Sequence, residues 1–251
     1  MNGDMKVGRP ESEEGWVRRE FVTTHWSLIL SVREGGLGAE AALEELCRAY
    51  WPPLFVYARR DGLSLHDAQD AVQGFISRLL ARQDLNGVRP ELGRFRGFLL
   101  TSFRNFLVSR ARGEACGKRG GGVSMVSLED DAAVGWLEQE LTDPMTPERA
   151  YDRAWARQVM RCALERLAGE HRTPPQARLF DALQPMLVDG GRVRREAELA
   201  ASLGMSAGAI AVAATRLRRR YRTLIEAEVR RTLADPADLE GEMRSLWEAW
   251  E

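Results

Sequence analysis

Seven apolar residues between positions 68 and 80 recur at the spacing of one face of an α-helix. They fall at i, i+3, i+4, i+7, i+8, i+11 and i+12, and they are Ala68, Ala71, Val72, Phe75, Ile76, Leu79 and Leu80. This stripe predicts an amphipathic helix of about three to four turns that buries one face. Ser64 is placed to cap it, and Asp67 lies in the first turn, where the helix dipole favours an acid. No segment shows strand alternation of useful length, so the chain is predicted to be all-α.

The order of patterned and unpatterned stretches predicts two small helical domains joined by a flexible linker, with a tail at each end. The predicted segments are a polar N-terminal tail (1–20), a first helical domain (21–113), a glycine-rich and acidic linker (114–147), a second helical domain (148–232) and a C-terminal extension (233–251). The extension has the pattern of one more amphipathic helix. In the first domain a helix begins near Ala39, and Pro52 and Pro53 are predicted to interrupt or kink it.

Charge is distributed in blocks, although the net charge of the chain is only −1. Residues 89–119 carry a local charge of +6, residues 120–150 one of −6, and residues 192–222 one of +6. Almost all of the positive charge is arginine, which suits bidentate contacts with phosphate and guanine. A GC-rich genome would give the same bias, so both explanations stay open. The two basic blocks are the candidates for nucleic-acid contacts.

Several function classes lack the residues that they require. Cys47, Cys116 and Cys162 are odd in number and lack CxxC spacing, which predicts no disulfide framework and no zinc site in a reducing cytosol. The histidines do not supply the spaced set of a tyrosine recombinase, and the glycine run at 120–122 lacks the Lys-Ser/Thr of a phosphate loop. No apolar run is long enough to span a membrane. We therefore expect a cytoplasmic protein with no catalytic residues, no metal and no cofactor.

The strongest local pattern lies at residues 196–210 and fits a helix-turn-helix. Ala200 supplies the small residue that lets a second helix cross close by, and Gly204 supplies the residue that tolerates a positive φ in the turn. Ser206 can cap the second helix, and apolar residues at the right spacing hold both helices to a core. A packed helical hairpin with a solvated arginine face is the alternative.

The second helix of this pattern would enter the major groove of DNA with its early residues nearest the bases. Small and apolar side chains would meet thymine methyl groups, and the arginines that follow would contact phosphates. The residues predicted to contact an upstream DNA element are Ser206, Ala207, Ala211, Val212, Thr215, Arg216 and Arg219. This composition predicts a reading of sequence with few hydrogen bonds and much phosphate contact.

Several stretches, in collinear order, resemble the bacterial RNA polymerase sigma factors of the extracytoplasmic-function class. Residues 43–60 (LEELCRAYWPPLFVYARR) and 67–80 (DAQDAVQGFISRLL) resemble region two of that family, and residues 176–225 resemble region four. Residues 98–105 (FLLTSFRN) are similar to the promoter-melting helix, with Phe98 where tryptophan is usual. The opening FVTTHWS (21–27) and the KRGGG run (118–122) resemble one subgroup.

The resemblance implies a sigma factor that directs core RNA polymerase to promoter DNA and assists its melting. The polar face of the helix after Ser64 would bind the polymerase through Asp70, Gln73, Ser77 and Arg78. The melted downstream element would be contacted by Arg94, Arg96, Phe98, Arg104 and Asn105. Cations next to aromatic rings suit single-stranded DNA, although Phe98, Phe103 and Phe106 are individually more typical of a core. A merely solvated face is the alternative for the polymerase-binding residues.

Some positions depart from the family pattern. Gly74 replaces a residue that is usually acidic or polar, and Ala211 and Ala214 stand where many relatives have basic or polar side chains. Two other functions stay open: a helix-turn-helix regulator that acts alone, and a sigma-like protein that binds polymerase without opening promoters. The class also leaves room for an anti-sigma regulator as a partner, although no residue identifies one.

Overall fold

A computed structural model of the chain describes residues 25–34, 39–80, 94–115, 144–188 and 196–250. Within these ranges all regular secondary structure is helical, which confirms the all-α prediction. The α-helices are α1 (His25–Glu34), α2 (Ala39–Arg60), α3 (Leu65–Leu80), α4 (Phe95–Ala115), α5 (Pro147–Glu170), α6 (Pro174–Leu183), α7 (Pro185–Val188), α8 (Glu196–Leu203), α9 (Ala207–Arg231) and α10 (Leu239–Trp250). A 3₁₀ turn at Pro236–Asp238 leads into α10. The predicted tail at 1–20 and most of the predicted linker lie outside the described residues.

Helix α3 forms as its sequence predicts. Ser64 Oγ accepts a hydrogen bond from the Asp67 amide at 3.2 Å, so the cap is confirmed. The predicted stripe is buried at Ala68, Ala71, Val72, Phe75 and Leu79, and Ile76 is partly buried. Gly74 has a packing explanation, because a Cβ there would lie 3.3 Å from Cζ of Phe106 on α4. The departure from the family pattern therefore coincides with a close approach between two helices.

Pro52 and Pro53 are predicted to interrupt or kink α2; the structure excludes the interruption, because α2 runs through both as one helix. A proline at position 52 has no N–H, so the carbonyl of Arg48 loses its intrahelical donor. Gln158 of α5 replaces that donor: its Nε2 donates to the Arg48 carbonyl at 2.6 Å, and its side chain is buried. The helix continues because a residue more than a hundred positions away satisfies the carbonyl that the proline leaves unpaired.

The two segments predicted as separate domains share one hydrophobic core. Helix α2 packs chiefly against α5, and buried residues of both segments form a single cluster. Tyr151 and Trp155 of α5 are among its largest fully buried side chains. An ion pair between Arg231 of α9 and Glu45 of α2 also joins the segments. The structure therefore does not confirm two separate cores, because apolar faces that the pattern assigns to each segment alone are packed against each other.

His25 lies in this core as an uncharged residue. Its Nδ1 is 2.8 Å from Tyr50 Oη, and its ring makes an edge contact with Phe95. Burial, with added repulsion from Arg231 and Arg166, lowers the pKa of His25 to about 3. In the unfolded chain the same ring takes up a proton near its ordinary pKa of about 6.5.

The folded protein should lose stability as the pH falls from about 6.5 toward 3, because only the unfolded chain then binds the His25 proton. Each pH unit in that window costs about 1.4 kcal/mol, so we expect about 2 kcal/mol less stability from this group at about pH 5 than at about pH 8. Urea unfolding at the two pH values measures the difference. The variant His25→Phe should lack this component, and an unchanged pH dependence in that variant would contradict the prediction.

Candidate nucleic-acid interface

Helices α8 and α9 are joined by a tight turn at the positions that the sequence predicts. Gly204 has a φ of +65°, and the Met205 amide donates to the Ala200 carbonyl at 2.9 Å. Ala200 is buried beside the turn. Ser206 caps α9, since its Oγ accepts from the Ala209 amide at 3.2 Å. The left-handed conformation at position 204 favours glycine, so the turn depends on that residue.

One side of α9 is fixed in the core. Its buried residues over the first four turns are Ile210, Ala214, Leu217 and Tyr221. The Tyr221 hydroxyl donates to the Met160 carbonyl at 3.0 Å, and burial raises the pKa of this phenol to about 12. The alanine at 214 is therefore a packing residue: at 1% exposure it leaves no room for a basic side chain. This anchoring fixes which side of α9 faces outward.

The side of α9 opposite the core carries the residues predicted to contact upstream DNA, which we call the recognition face. Their spacing is that of a single helical stripe, and they are Ser206, Ala207, Ala211, Val212, Thr215, Arg216 and Arg219. All are exposed except Ala211, which is partly buried. Val212 is 51% exposed, an unusual degree for a large aliphatic side chain. The Thr215 hydroxyl donates to the Ala211 carbonyl at 2.8 Å, which leaves its methyl group as the apolar contact.

The arginines of α9 differ in their partners. Arg220 forms a two-pronged ion pair with Glu170, at 2.5 and 2.9 Å, and this pairing holds the pKa of the Glu170 carboxyl below its usual value. Arg222 pairs with Glu226 at 3.2 Å. By contrast, no carboxylate in the part of the chain that the structure describes pairs with Arg216, Arg218 or Arg219. These three cations are therefore the ones available for phosphate.

All of the predicted polymerase-binding residues lie on α3, three of them on the side away from its buried stripe and Arg78 at its flank. Asp70 and Arg78 are exposed, whereas Gln73 and Ser77 are partly buried. Asp70, Gln73 and Ser77 are spaced at i, i+3 and i+7, which places them on one face of the helix. That they bind polymerase stays a prediction.

Helix α4 divides the residues predicted to contact melted DNA. Arg104 and Asn105 are exposed, and Arg104 lies 3.6 Å from Glu148. Phe98 is partly buried, with its ring 5.5 Å from that of Trp26 and 6.1 Å from that of Phe95. Arg94, which precedes α4, is exposed as well, so three of the five predicted residues are open to a strand in this arrangement.

Arg96 is placed where the sequence does not predict it. It is 9% exposed, and its guanidinium lies 4.5 Å from the ring centroid of Trp155. Its Nε donates to Glu242 Oε1 at 2.5 Å, and its Nη1 pairs with Asp152. Burial acts to lower the pKa of Arg96, but the bond to Glu242 and the charge of Asp152 outweigh it and keep the guanidinium charged. Arg94, Arg96, Asp152 and Glu242, which we call the four-charge cluster, join α4, α5 and α10.

Other features of the described residues concern thiol chemistry, metal binding and membrane insertion. Cys47 and Cys162 are free thiols, and burial raises the pKa of each to about 11, so neither is a thiolate at neutral pH. Within the described ranges, no group of three His, Cys, Asp or Glu side chains is placed to hold a metal ion. No helix in those ranges is both long and apolar enough to cross a membrane. Comparison of the chain with protein-family models, curated proteins and solved structures finds no match.

Proposed function

We propose that the chain is a sigma factor, which brings core RNA polymerase to promoter DNA and performs no catalysis of its own. The observation that carries the proposal is the recognition face of α9. There, small and apolar side chains precede Arg216 and Arg219, which no described carboxylate neutralises. Together with α8 and the turn at Gly204, this helix has the parts that a helix-turn-helix needs.

In this proposal α9 lies in the major groove of an upstream promoter element. Ala207, Ala211 and Val212 face the floor of the groove, where thymine methyl groups offer apolar contacts. Arg216 and Arg219, one to three turns further along, meet the phosphates that flank the groove. The burial of the opposite side of α9 supports this orientation, because the helix cannot rotate without exposing Ile210 and Leu217.

In this proposal the helices of the first segment, α3 and α4, contact the polymerase and the melted strand. The polar side of α3, with Asp70 and Arg78 exposed, binds the polymerase, and α4 presents Arg104 and Asn105 to a separated strand. An exposed cation beside an amide suits a phosphate next to an unpaired base. The resemblance of both segments to sigma regions, in collinear order, supports this assignment.

The burial of Arg96 favours a second candidate: a sigma-like protein that binds polymerase without opening promoters. In the described arrangement one of the three arginines predicted to meet the melted strand, Arg96, is enclosed by protein. Such a protein would still bind polymerase through α3. Initiation therefore separates the two candidates, and polymerase binding alone does not.

The test is transcription from fragments of the genome that encodes the chain, with purified core polymerase from the same organism. Adding the protein should produce transcripts whose 5′ ends share an upstream element, because the recognition face would select it. Core polymerase alone is the control. Binding to core without new start sites would favour the second candidate. Binding to DNA fragments, with no association with core, would favour a regulator that acts alone.

A further inference from the structure

The carboxylate of Glu242, on α10, is held by two arginines of the region predicted to contact melted DNA. Arg94 Nε lies 2.7 Å from its Oε2, and Arg96 Nε lies 2.5 Å from its Oε1. The Glu242 side chain has no exposed surface. Ser245, one turn later on α10, accepts a hydrogen bond from Arg94 Nη1 at 3.0 Å. An anion between two guanidinium groups is the arrangement in which a phosphate is also bound.

The charge of the four-charge cluster depends on α10. With Arg94, Arg96, Asp152 and Glu242 together the formal charge is zero, since two cations face two anions. Asp152 belongs to α5, so its ion pair with Arg96 does not involve α10. Without Glu242 the remaining groups carry one net positive charge. Removal of α10 thus converts a neutral cluster into a cationic one.

Helix α10 is held by this cluster and by apolar packing. It has 12 residues; Leu246 is fully buried, and Leu239, Met243, Ala249 and Trp250 are partly buried against the core. Trp247 is 40% exposed. Helices of this length are marginal in water without packing, and a buried ion pair contributes little net stability because both charges lose their hydration. Short elements at the edge of a core open more readily than those that form its centre, and Leu246 is the one fully buried apolar side chain that α10 would expose on detaching.

We propose that α10 is a displaceable cover over a phosphate site formed by Arg94 and Arg96. Glu242 occupies that site in the free protein, and the backbone of single-stranded DNA replaces it when α10 detaches. The inference rests on the proposed function in one respect, since melted promoter DNA is the strand expected to compete. It explains why Arg96, which is predicted to contact DNA, is buried in the free chain.

The test compares Glu242→Gln with Glu240→Gln. Both variants remove one negative charge from the first turn of α10, but the Glu240 side chain is 92% exposed and touches neither Arg94 nor Arg96. Binding of a fluorescein-labelled thymidine oligonucleotide of about 15 nucleotides is followed by anisotropy. If the open form is about one tenth of the free protein, Glu242→Gln should tighten binding about tenfold. The control should change it less than about twofold, which is the general effect of one charge.

Hydrogen exchange of the α10 amides measures the opening of this helix, which a general change in charge does not affect. In the unaltered chain, saturating oligonucleotide should speed exchange over residues 243–250, and Glu242→Gln should do so without oligonucleotide. Unchanged exchange on oligonucleotide binding, or equal affinities of the two variants, would overturn the proposal. A chain that ends at Ala234 should bind like Glu242→Gln, and weaker binding by that chain would also count against it.

The same preparations are assayed for association with core polymerase, so that the two proposals can fail separately. If the chain supports polymerase-dependent initiation while its α10 amides stay protected from hydrogen exchange, the proposed cover is wrong and the proposed function is unaffected. An α10 that opens on oligonucleotide in a chain that does not bind core would overturn the function and leave the cover standing.

Discussion

The variant Trp155→Ala should lose about 3–5 kcal/mol of unfolding free energy, which is a large part of the total stability of a typical folded protein. Trp155 is 1% exposed and lies on α5, the helix against which α2 packs. Alanine would leave a cavity lined by residues of both segments and would remove the ring under the Arg96 guanidinium. Because the core is continuous, the whole described fold should unfold in one transition at lower denaturant. Urea titrations followed by circular dichroism measure both effects.

Trp247→Ala is the matched control, because it makes the same chemical change at a side chain that is 40% exposed. We expect that control to lower the unfolding free energy by less than about 1 kcal/mol. Two separate transitions, of which Trp155→Ala moves only the later or the earlier, would contradict a shared core. They would instead support the two independent domains that the sequence pattern predicts.

The double variant Arg216→Ala/Arg219→Ala should bind duplex DNA about 50-fold more weakly at about 0.1 M salt. Each arginine is expected to neutralise one phosphate, and releasing one counterion fewer per lost contact lowers the slope of log K against log salt by about 0.9. The slope should therefore fall by about 2 in total. The effect should be similar on any duplex, since phosphate contacts carry no sequence information. Fluorescence anisotropy over a salt series measures affinity and slope together.

The control for that experiment is Arg230→Ala/Arg244→Ala, which removes two exposed arginines away from the recognition face. It leaves the net charge equal to that of the test variant. If both double variants weakened binding equally, bulk charge rather than the recognition face would carry the affinity. A loss confined to one sequence would instead assign base contacts to the two arginines.

Local features of this fold could be predicted from the sequence because local forces decide them. The stripe on α3, its cap at Ser64 and the turn at Gly204 depend on periodicity, capping and backbone conformation. The extension was likewise predicted as an amphipathic helix, and α10 confirms it. On α9 the spacing of the recognition face follows from the same helical period.

Long-range pairings could not be predicted in this way. In the sequence, Glu242 is one acid among several in a short helix. Nothing near it indicates that its partner is Arg96, 146 positions earlier. Arg96 itself lies between Phe95 and Phe98, a pattern that suits a solvent-facing cation as well as a buried one. The continuous course of α2 through two prolines could not be predicted from the sequence for the same reason. In each case a distant side chain supplies the group that decides the outcome.

The hydrogen bond from Gln158 to the Arg48 carbonyl limits how the two segments can move against each other. A slide by one helical turn would carry the amide past its acceptor and leave that carbonyl without a donor, at a cost of about 1–3 kcal/mol. Full separation has no such cost, because a water molecule can take the place of the amide. Misaligned arrangements are thus disfavoured relative to the docked one. The two segments should therefore keep one register for as long as the chain is folded.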